Sequence, residues 1–322
     1  MSAINANSSF APVLIVAGPT ASGKSALALD LADAFDGVVI NADSMQVYEE
    51  LRVLSARPDE SETARAPHRL YGVLSGREAC SAGKWREMAM AEITDCHANG
   101  KLPIITGGTG MYLNALTEGI APIPDVPARI REAMTAELEQ MGHEAFFEKL
   151  KRDDAETAAT LDGTNTQRLI RAAEVFAHTG RGLTSWHQEP VITPPENMKF
   201  KKLCYMPPRE ILYDRCNRRF DLMIEQGAID EVRELIALNL PETAPVMKAV
   251  GVRELGAYLA GEIDLATAKE KSQRETRRYA KRQLTWFRHQ MTDKEIIDAQ
   301  YSESLAAKMR HDVNQFLLTT PK

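Results

Sequence analysis

The sequence has 322 residues, of which 44% are hydrophobic and 26% are charged, in proportions that are ordinary for a folded globular protein. They exclude a mainly disordered, fibrous or membrane-embedded chain, and the length suffices for about two domains. The formal net charge of −6 gives, on its own, no reason to expect a nucleic-acid partner, because a phosphate-binding surface is normally basic.

The N-terminal part of the chain predicts an α/β fold. Residues 12–17, 37–42 and 102–106 form short apolar runs, which are typical of strands that are buried on both faces of a parallel sheet. A helical pattern over residues 25–35 separates the first two runs, and another helix precedes the third. This alternation predicts a doubly wound parallel sheet with right-handed crossovers.

A long helical segment interrupts this pattern. Residues 127–197 are charged and helical in pattern, and a proline-rich stretch closes them. We therefore expect a core of residues 11–126 plus 198–322, interrupted by a helical insertion domain at residues 127–197.

The C-terminal part of the predicted core starts with one more strand. Residues 200–206 predict a return strand, and the pattern from Arg209 to the end is helical. Arg215 and Arg219 lie four residues apart on the first of these helices. Their guanidinium groups could reach a phosphate or could simply form surface charge, and the sequence leaves both roles open.

A phosphate-binding motif connects the first predicted strand to the first helix. Residues 18–25 read GPTASGKS, which matches G-x-x-x-x-G-K-[ST] in the required context, so the core is predicted to be P-loop NTPase-like. The glycines allow a tight turn whose N–H groups point at an anion, and the helix N-terminus adds about half a positive charge. Lys24 adds a full charge, and the Ser25 hydroxyl can hold Mg²⁺. The predicted diphosphate-binding residues are Gly18, Pro19, Thr20, Ala21, Ser22, Gly23, Lys24 and Ser25.

Polar residues follow the second and third predicted strands. Asp43 stands at the carboxyl end of a strand, where ligand sites of open α/β sheets lie. Position alone leaves three roles open for Asp43: a magnesium-side acid, a general base or a helix N-cap. Residues 107–110 read GGTG, in which three glycines allow close approach to a ligand and Thr109 can hydrogen-bond. We expect the second substrate to bind there.

Near the C-terminus the charge is strongly basic over a short segment. Residues 271–288 contain seven basic residues and one acid, a local balance of +6, with three aromatic residues interleaved. Arg274, Arg278 and Arg282 share one helical face. The segment is either a solvated helix face or a surface that contacts an RNA backbone.

Taken together, seven stretches resemble the tRNA dimethylallyltransferase family, also called isopentenyl-tRNA transferases, in its bacterial form. They occur in the family's order and cover most of the chain. The stretches are GPTASGKS (18–25), INADSMQVY (40–48), APHRLYGVL (66–74), GGTGMYLNAL (107–116), NTQRLIRAAEVF (165–176), VGVRELGAYL (250–259) and KRQLTWFRHQ (281–290).

The resemblance implies a reaction and its residues. The dimethylallyl group of dimethylallyl diphosphate is transferred to N6 of adenosine 37 of tRNA, 3′ of the anticodon, and diphosphate leaves. The implied catalytic residues are Asp43 as the base and Lys24 and Arg219 as partners of the leaving group, with Mg²⁺ on Ser25. The implied tRNA-binding residues are Asp43, Ser44, Met45, Gln46, Thr109, Arg131, Gln167, Arg168, Leu169, Ile170, Arg171, Lys248, Arg253, Lys281, Arg282 and Arg288.

The remaining expectations concern partners and location. Arg129 is an alternative to Arg131 as a tRNA contact, because the length of this segment varies in the family. The partners implied are the tRNA anticodon arm and dimethylallyl diphosphate, with no membrane and no obligate protein partner. Four cysteines without a CxxC pair predict reduced thiols, and we expect a cytoplasmic monomer.

Three other functions compete with this interpretation. A P-loop small-molecule kinase explains the phosphate motif and Asp43, but not the QRLIR, VGVREL and KRQLTWFR stretches. A relative that prenylates free adenine nucleotides needs no basic C-terminal helix. A non-enzymatic RNA-binding protein could retain the phosphate motif without turnover.

Overall fold

The computed structural model describes residues 10–298 and 302–318. Two compact units are present: the first runs to Thr117 and resumes at Pro195, and the second is Glu118–Pro194. The sequence predicted the insertion at residues 127–197. The second unit includes the preceding loop because Ile120 and Ile192 exchange backbone hydrogen bonds of 3.3 and 2.8 Å. Residues 299–301 and 319–322, which the sequence assigned to the core, lie outside the described residues.

The first unit contains a six-stranded sheet in which every pair is parallel, in the order β3-β2-β4-β1-β5-β6. Its strands are β1 (Ala11–Ala17), β2 (Gly37–Asn41), β3 (His68–Arg69), β4 (Leu102–Gly107), β5 (Met198–Tyr205) and β6 (Lys294–Ile297). The predicted doubly wound α/β sheet is thereby confirmed. The central strands β1, β2 and β4 are the continuous apolar runs of the sequence, and helices cover both faces of the sheet.

Helices fill the rest of both units. Before the second unit come α1 (Lys24–Phe35), α2 (Glu60–Arg65), α3 (Ala82–Ala98) and α4 (Gly110–Thr117). The second unit contains α5 (Ala128–Met141), α6 (His143–Asp153), α7 (Ala155–Thr160), α8 (Thr166–Thr179) and α9 (Leu183–His187). After it come α10 (Arg209–Glu225), α11 (Ala228–Ala237), a 3-10 turn (Pro245–Lys248), α12 (Val252–Leu259), α13 (Leu265–Gln290) and α14 (Glu303–Leu318).

Two edge strands depart from the predicted pattern. The sequence predicted helix from Arg209 to the end, and β6 corrects this, since it pairs in parallel with β5. Only Ile297 of its four residues is buried, so no apolar run marks it. β3 has two residues and is not buried either. Short, charged edge strands are formed by pairing to a neighbour, and their own pattern is too weak to predict them.

The core of the first unit follows from strand alternation. Val13 and Ile15 point to one face of the sheet, where α3, α4, α10 and α13 pack. Leu14 and Val16 point to the other face, where α1 and α14 pack. Side chains of a strand alternate in this way because the backbone is pleated. Helices packed on both faces therefore hold the sheet in place, including the edge at which the strands end.

The second unit has a hydrophobic cluster of its own, which includes Phe146, Leu150 and Leu169. Its helix α8 begins at the Asn165 N-cap, whose side chain accepts from the Arg168 N–H at 3.1 Å, and ends at Gly180 in the left-handed conformation.

Two properties concern the described chain as a whole. No helix within residues 10–298 or 302–318 is both long enough and apolar enough to cross a membrane. All four cysteines are free thiols, and Cys80 is the least buried of them.

Candidate active site

The phosphate-binding loop lies between β1 and α1, and the structure explains both of its glycines. Gly23 has φ +103°, in the left-handed region that favours glycine. At Gly18, a Cβ would lie 2.5 Å from the carbonyl oxygen of Tyr205, at the end of β5. Gly23 therefore allows the loop to turn tightly, and Gly18 leaves room for the close approach of β5.

Two side chains from later in the sequence hold this loop in place. Arg215 on α10 donates from Nη1 to the Ser22 carbonyl at 2.9 Å. Gln283 on α13 accepts from the Thr20 N–H at 2.8 Å. Arg215 thus supports the loop backbone, a role outside the two that its sequence position suggested. Because the Thr20 N–H already donates to Gln283, Thr20 can contribute only its side chain to an anion site.

Two cations and one carboxylate meet beside the loop. Burial lowers the pKa of Lys24 to about 8, while the Asp43 carboxylate opposes the shift and Arg219 adds to it. Burial also lowers the pKa of Arg219, again opposed by Asp43. The structure therefore brings together the three predicted catalytic residues, which are distant in sequence. Their combined charge of about +1 suits an incoming anion.

The predicted magnesium ligand can be tested by its surroundings. Ser25 is exposed in the first turn of α1, directly after Lys24. Among the residues that the structure describes, no group of three His, Cys, Asp or Glu side chains could hold a metal ion. Mg²⁺ commonly binds one or two protein oxygens together with substrate phosphates. The Ser25 hydroxyl therefore fits a magnesium ion whose other ligands would be diphosphate oxygens and water.

Hydrogen bonds hold Asp43 in place after β2. The Asn41 side chain accepts from the Asp43 N–H at 2.8 Å and donates to the Asp43 carbonyl at 3.0 Å. The Asp43 Oδ1 accepts from the Met45 N–H at 2.9 Å, which closes a turn. Trp85 on α3 donates to the Asn41 carbonyl at 2.8 Å. The buried Asn41 thus holds the backbone of Asp43 at the edge of the sheet, and the Met45 N–H orients its carboxylate.

The GGTG turn joins directly to the Asp43 loop. The Thr109 hydroxyl accepts from the Ser44 N–H at 2.9 Å, and the Thr109 N–H donates to the Ala42 carbonyl at 3.1 Å. Burial raises the pKa of Tyr279 on α13, and the nearby Thr109 side chain opposes this rise. The predicted sites of the two substrates are therefore contiguous.

The glycines of this turn make room for protein groups, a reason for glycine that the sequence did not suggest. A Cβ on Gly107 would lie 2.2 Å from the carbonyl group of Ala42. At Gly108 the same atom would lie 2.2 Å from Gln283 Nε2, and at Gly110 it would lie 2.3 Å from the Trp286 ring.

The loop after Asp43 has its polar groups largely engaged. The Gln46 amide nitrogen donates to the Ser55 and Ala56 carbonyls, each at 2.9 Å. Glu231 on α11 accepts from three consecutive N–H groups, those of residues 52–54, at 2.8, 2.6 and 2.9 Å. The Gln46 donors are therefore committed to the loop, and its amide oxygen is the atom left for a substrate. Met45 packs against the core.

Basic side chains follow the outer face of α13. Arg278, Lys281 and Arg282 are exposed, and Arg278 pairs with Glu275 at 2.7 Å. A groove of about 680 Å³ opens along this face. Its lining is Arg278, Lys281, Arg282, Thr285, Trp286, His289 and Gln290. We call these seven residues the α13 groove.

Three further residues predicted to contact tRNA lie on exposed positions of the first unit. Lys248 ends the 3-10 turn, and Arg288 lies near the end of α13. Arg253 on α12 is 83% exposed and pairs with the buried Glu254 at 2.8 Å.

In the second unit, two predicted tRNA contacts converge on one buried carboxylate. Glu174 has a 2% exposed side chain, and Arg171 and Arg131 approach its two oxygens at 2.7 and 3.7 Å. Gln167 and Arg168 are exposed at the start of α8. Leu169 and Ile170, also predicted to contact tRNA, are buried, and Leu169 packs in the hydrophobic cluster of the unit.

Sequence reasoning did not identify Gln283, Tyr279 and Glu174 as site residues. Gln283 carried a usable signal, because it falls in the buried stripe of α13 with Ala280 and Phe287. A polar side chain in an apolar stripe needs a buried partner. That partner could not be named from the sequence.

Comparison with known proteins places this arrangement among related enzymes. A model of the IPP transferase family matches residues 46–290. The tRNA dimethylallyltransferase of Paramagnetospirillum magneticum is 50% identical over 310 residues, which are 96% of this chain and 98% of that protein. The solved tRNA isopentenylpyrophosphate transferase from Bacillus halodurans is 30% identical with a TM-score of 0.69, and the match covers 95% of this chain and 97% of that chain. A eukaryotic dimethylallyltransferase solved acting on tRNA is 27% identical with a TM-score of 0.80, and the match covers 96% of this chain and 80% of that chain.

Proposed function

Because this chain belongs to the IPP transferase family, we propose that it transfers the dimethylallyl group of dimethylallyl diphosphate to N6 of adenosine 37 in tRNA, 3′ of the anticodon. One observation carries the proposal: Lys24 and Arg219 lie beside the Asp43 carboxylate, and the next residue, Ser44, is hydrogen-bonded to the Thr109 hydroxyl. A leaving diphosphate and an attacking amine need these two environments side by side. Relatives named for action on tRNA favour tRNA over a free nucleotide as the acceptor.

Departure of the diphosphate depends on charge neutralisation. As the allylic C–O bond breaks, negative charge accumulates on the diphosphate oxygens. Lys24, Arg219 and the N–H groups at the start of α1 are fixed where this charge develops, so they stabilise the transition state more than the ground state. Mg²⁺ held through Ser25 would supply further charge neutralisation to the same leaving group.

Attack by the adenine amine depends on Asp43. The exocyclic amine is a weak nucleophile, and Asp43 takes its proton as the C–N bond forms. The base must leave the anticodon-loop stack, at a cost of a few kcal/mol that is smaller in a loop than in a duplex. Ser44, Met45, the Gln46 amide oxygen and Thr109 would surround the extruded base. The products are the N6-prenylated adenosine and diphosphate.

Recognition of the anticodon arm rests on basic residues of each unit. Gln167, Arg168, Arg171 and Arg131 of the second unit would contact the loop nucleotides and backbone. The contacts expected on the first unit are those of Lys248, Arg253, Lys281, Arg282 and Arg288. Such contacts make affinity depend on salt. We assign the reaction to the cytoplasm, where its tRNA substrate is processed.

A transfer assay tests this function directly. The purified chain is incubated with labelled dimethylallyl diphosphate and either unmodified tRNA or AMP as the acceptor, with and without ATP, and the nucleoside products are analysed by mass spectrometry. We expect N6-dimethylallyladenosine at the position 3′ of the anticodon without any ATP. A strict ATP requirement would favour the kinase alternative. Label on AMP but not on tRNA would favour prenylation of free nucleotides.

A further inference from the structure

The inner face of α13 contacts the GGTG turn through three side chains. Gln283, Tyr279 and Trp286 are spaced three and four residues apart and lie on one helical face. They meet Gly108, Thr109 and Gly110 respectively. The turn that would receive the adenosine is therefore shaped by α13, and the same helix bears the α13 groove on its outer face.

Gln283 differs from its two neighbours because it also holds the phosphate-binding loop. Its Oε1 accepts from the Thr20 N–H at 2.8 Å, and its Nε2 donates to the Gly108 carbonyl at 2.9 Å. The side chain is only 6% exposed, so neither bond competes with bulk water. One amide thus links the loop that would hold the diphosphate to the turn that would hold the adenosine.

The backbone of the turn fits this amide closely. A Cβ on Gly108 would lie 2.2 Å from Gln283 Nε2 and 3.3 Å from the Gly18 carbonyl oxygen. Methionine has a similar volume and could fill the same space. It would leave the Thr20 N–H and the Gly108 carbonyl without buried partners. Joining the two loops therefore requires the amide group of Gln283, whereas filling the space between them requires only a side chain of similar volume.

We propose that Gln283 is a positioning residue that sets the distance between the two reacting groups. It touches neither of them and fixes the two loops that carry them. The inference rests on the proposed function. Because a displacement of about 1 Å between reacting groups can reduce the rate about 100-fold, losing this link should affect kcat more than binding.

The test compares Gln283→Met with Gln273→Met. Gln273 lies on the same helix and donates to the Asn217 carbonyl and to Asp221 on α10, at 3.2 and 3.1 Å, but contacts neither loop. We expect kcat for tRNA prenylation to fall about 10- to 100-fold in Gln283→Met. The tRNA Kd should stay near the wild-type value, and Gln273→Met should keep the wild-type kcat.

Gly108→Ala provides a second route to the same contact, because the new methyl group displaces the Gln283 amide while α13 is unchanged. It also keeps the inference testable if Gln283→Met does not fold. When both single variants fold, the loss of kcat in the double variant should be no larger than the larger of the two single losses, because both substitutions remove the same interaction. Additive losses would overturn the inference, as would a kcat for Gln283→Met equal to that of Gln273→Met. An inactive wild-type chain would refute the proposed function instead.

Discussion

At the scale of single residues, the charge of Lys24 is sensitive to pH just above neutrality. Burial lowers its pKa to about 8, although Asp43 opposes the shift. Arg219 beside it stays charged because the guanidinium pKa starts far above neutrality. Lys24 and Arg219 together thus carry two positive charges at neutral pH, and the Lys24 charge is lost as the pH rises through about 8.

This predicts an alkaline limit on catalysis. We expect kcat/KM for dimethylallyl diphosphate to fall above about pH 8, because neutral Lys24 no longer attracts the diphosphate. The measurement is the pH profile of prenyl transfer from neutral to alkaline pH. Lys24→Arg, whose side chain stays protonated, should show no such limit in its residual activity. A wild-type profile that is flat across this range would contradict the prediction.

Asp43 carries a separate prediction about proton transfer. We expect Asp43→Asn to lower kcat by about 10²- to 10⁴-fold, because the amide cannot accept the N6 proton. tRNA affinity, measured by filter binding, should change little. Asp36→Asn is the control, since that exposed carboxylate at the C-terminus of α1 pairs with Lys101. Full turnover in Asp43→Asn would show that another group is the base.

At the scale of elements, α13 combines two roles on adjacent faces, which share Trp286. Its inner face carries Gln283 and Tyr279, which contact the substrate loops. Its outer face carries the α13 groove, whose lining includes Trp286 and three basic side chains, Arg278, Lys281 and Arg282. Arg274 is absent from this lining, although it shares the predicted stripe with Arg278 and Arg282. Arg274 is nevertheless exposed, so the groove covers only part of the predicted stripe.

Salt dependence tests that surface. Replacing Arg278, Lys281 and Arg282 by alanine should flatten the dependence of log Kd for tRNA on log salt by about 0.7–0.9 for each phosphate contact that is lost. Titrations of tRNA at several salt concentrations provide the slope. Arg233→Ala on α11 removes an exposed arginine outside the groove and should leave the slope unchanged. If the triple variant has the same slope as the wild-type chain, these three side chains form a solvated helix face that does not contact RNA.

At the scale of the whole molecule, each unit has its own hydrophobic core. The cluster around Phe146 and Leu150 contains residues of the second unit, and the clusters on both faces of the sheet contain residues of the first. Separate cores allow the units to lose structure separately. The phosphate-binding loop, Asp43 and the GGTG turn all belong to the first unit.

A core substitution in the second unit should therefore have a local effect. Phe146 is 1% exposed, and we expect Phe146→Ala to destabilise its unit by about 3–5 kcal/mol. Hydrogen exchange followed by mass spectrometry should show faster exchange in α5–α8, with β1 and β4 still protected. Leu27→Ala, in the core of the first unit, should show the converse pattern. Equal loss of protection in both units would contradict separate cores.

Much of the first unit could be predicted because its signals are local. The central strands are apolar runs, and GPTASGKS lies between a strand and a helix in the structure as in the pattern. Edge strand β6 could not be predicted, since only its pairing with β5 makes it a strand. The roles of Arg215 and Arg219 could not be separated either, because the packing of α10 decides what each guanidinium reaches.

The sequence by itself determined the parallel sheet, the phosphate-binding loop and the position of Asp43 at a strand end, because periodicity and motif spacing act over short stretches of chain. Only the tertiary structure decided that Gln283 joins two loops, that Arg131 reaches Glu174, and that the GGTG glycines accommodate α13 and Ala42. These contacts join residues far apart in sequence, up to 263 positions for Thr20 and Gln283. Local pattern carries no information about which distant group will fill a given space.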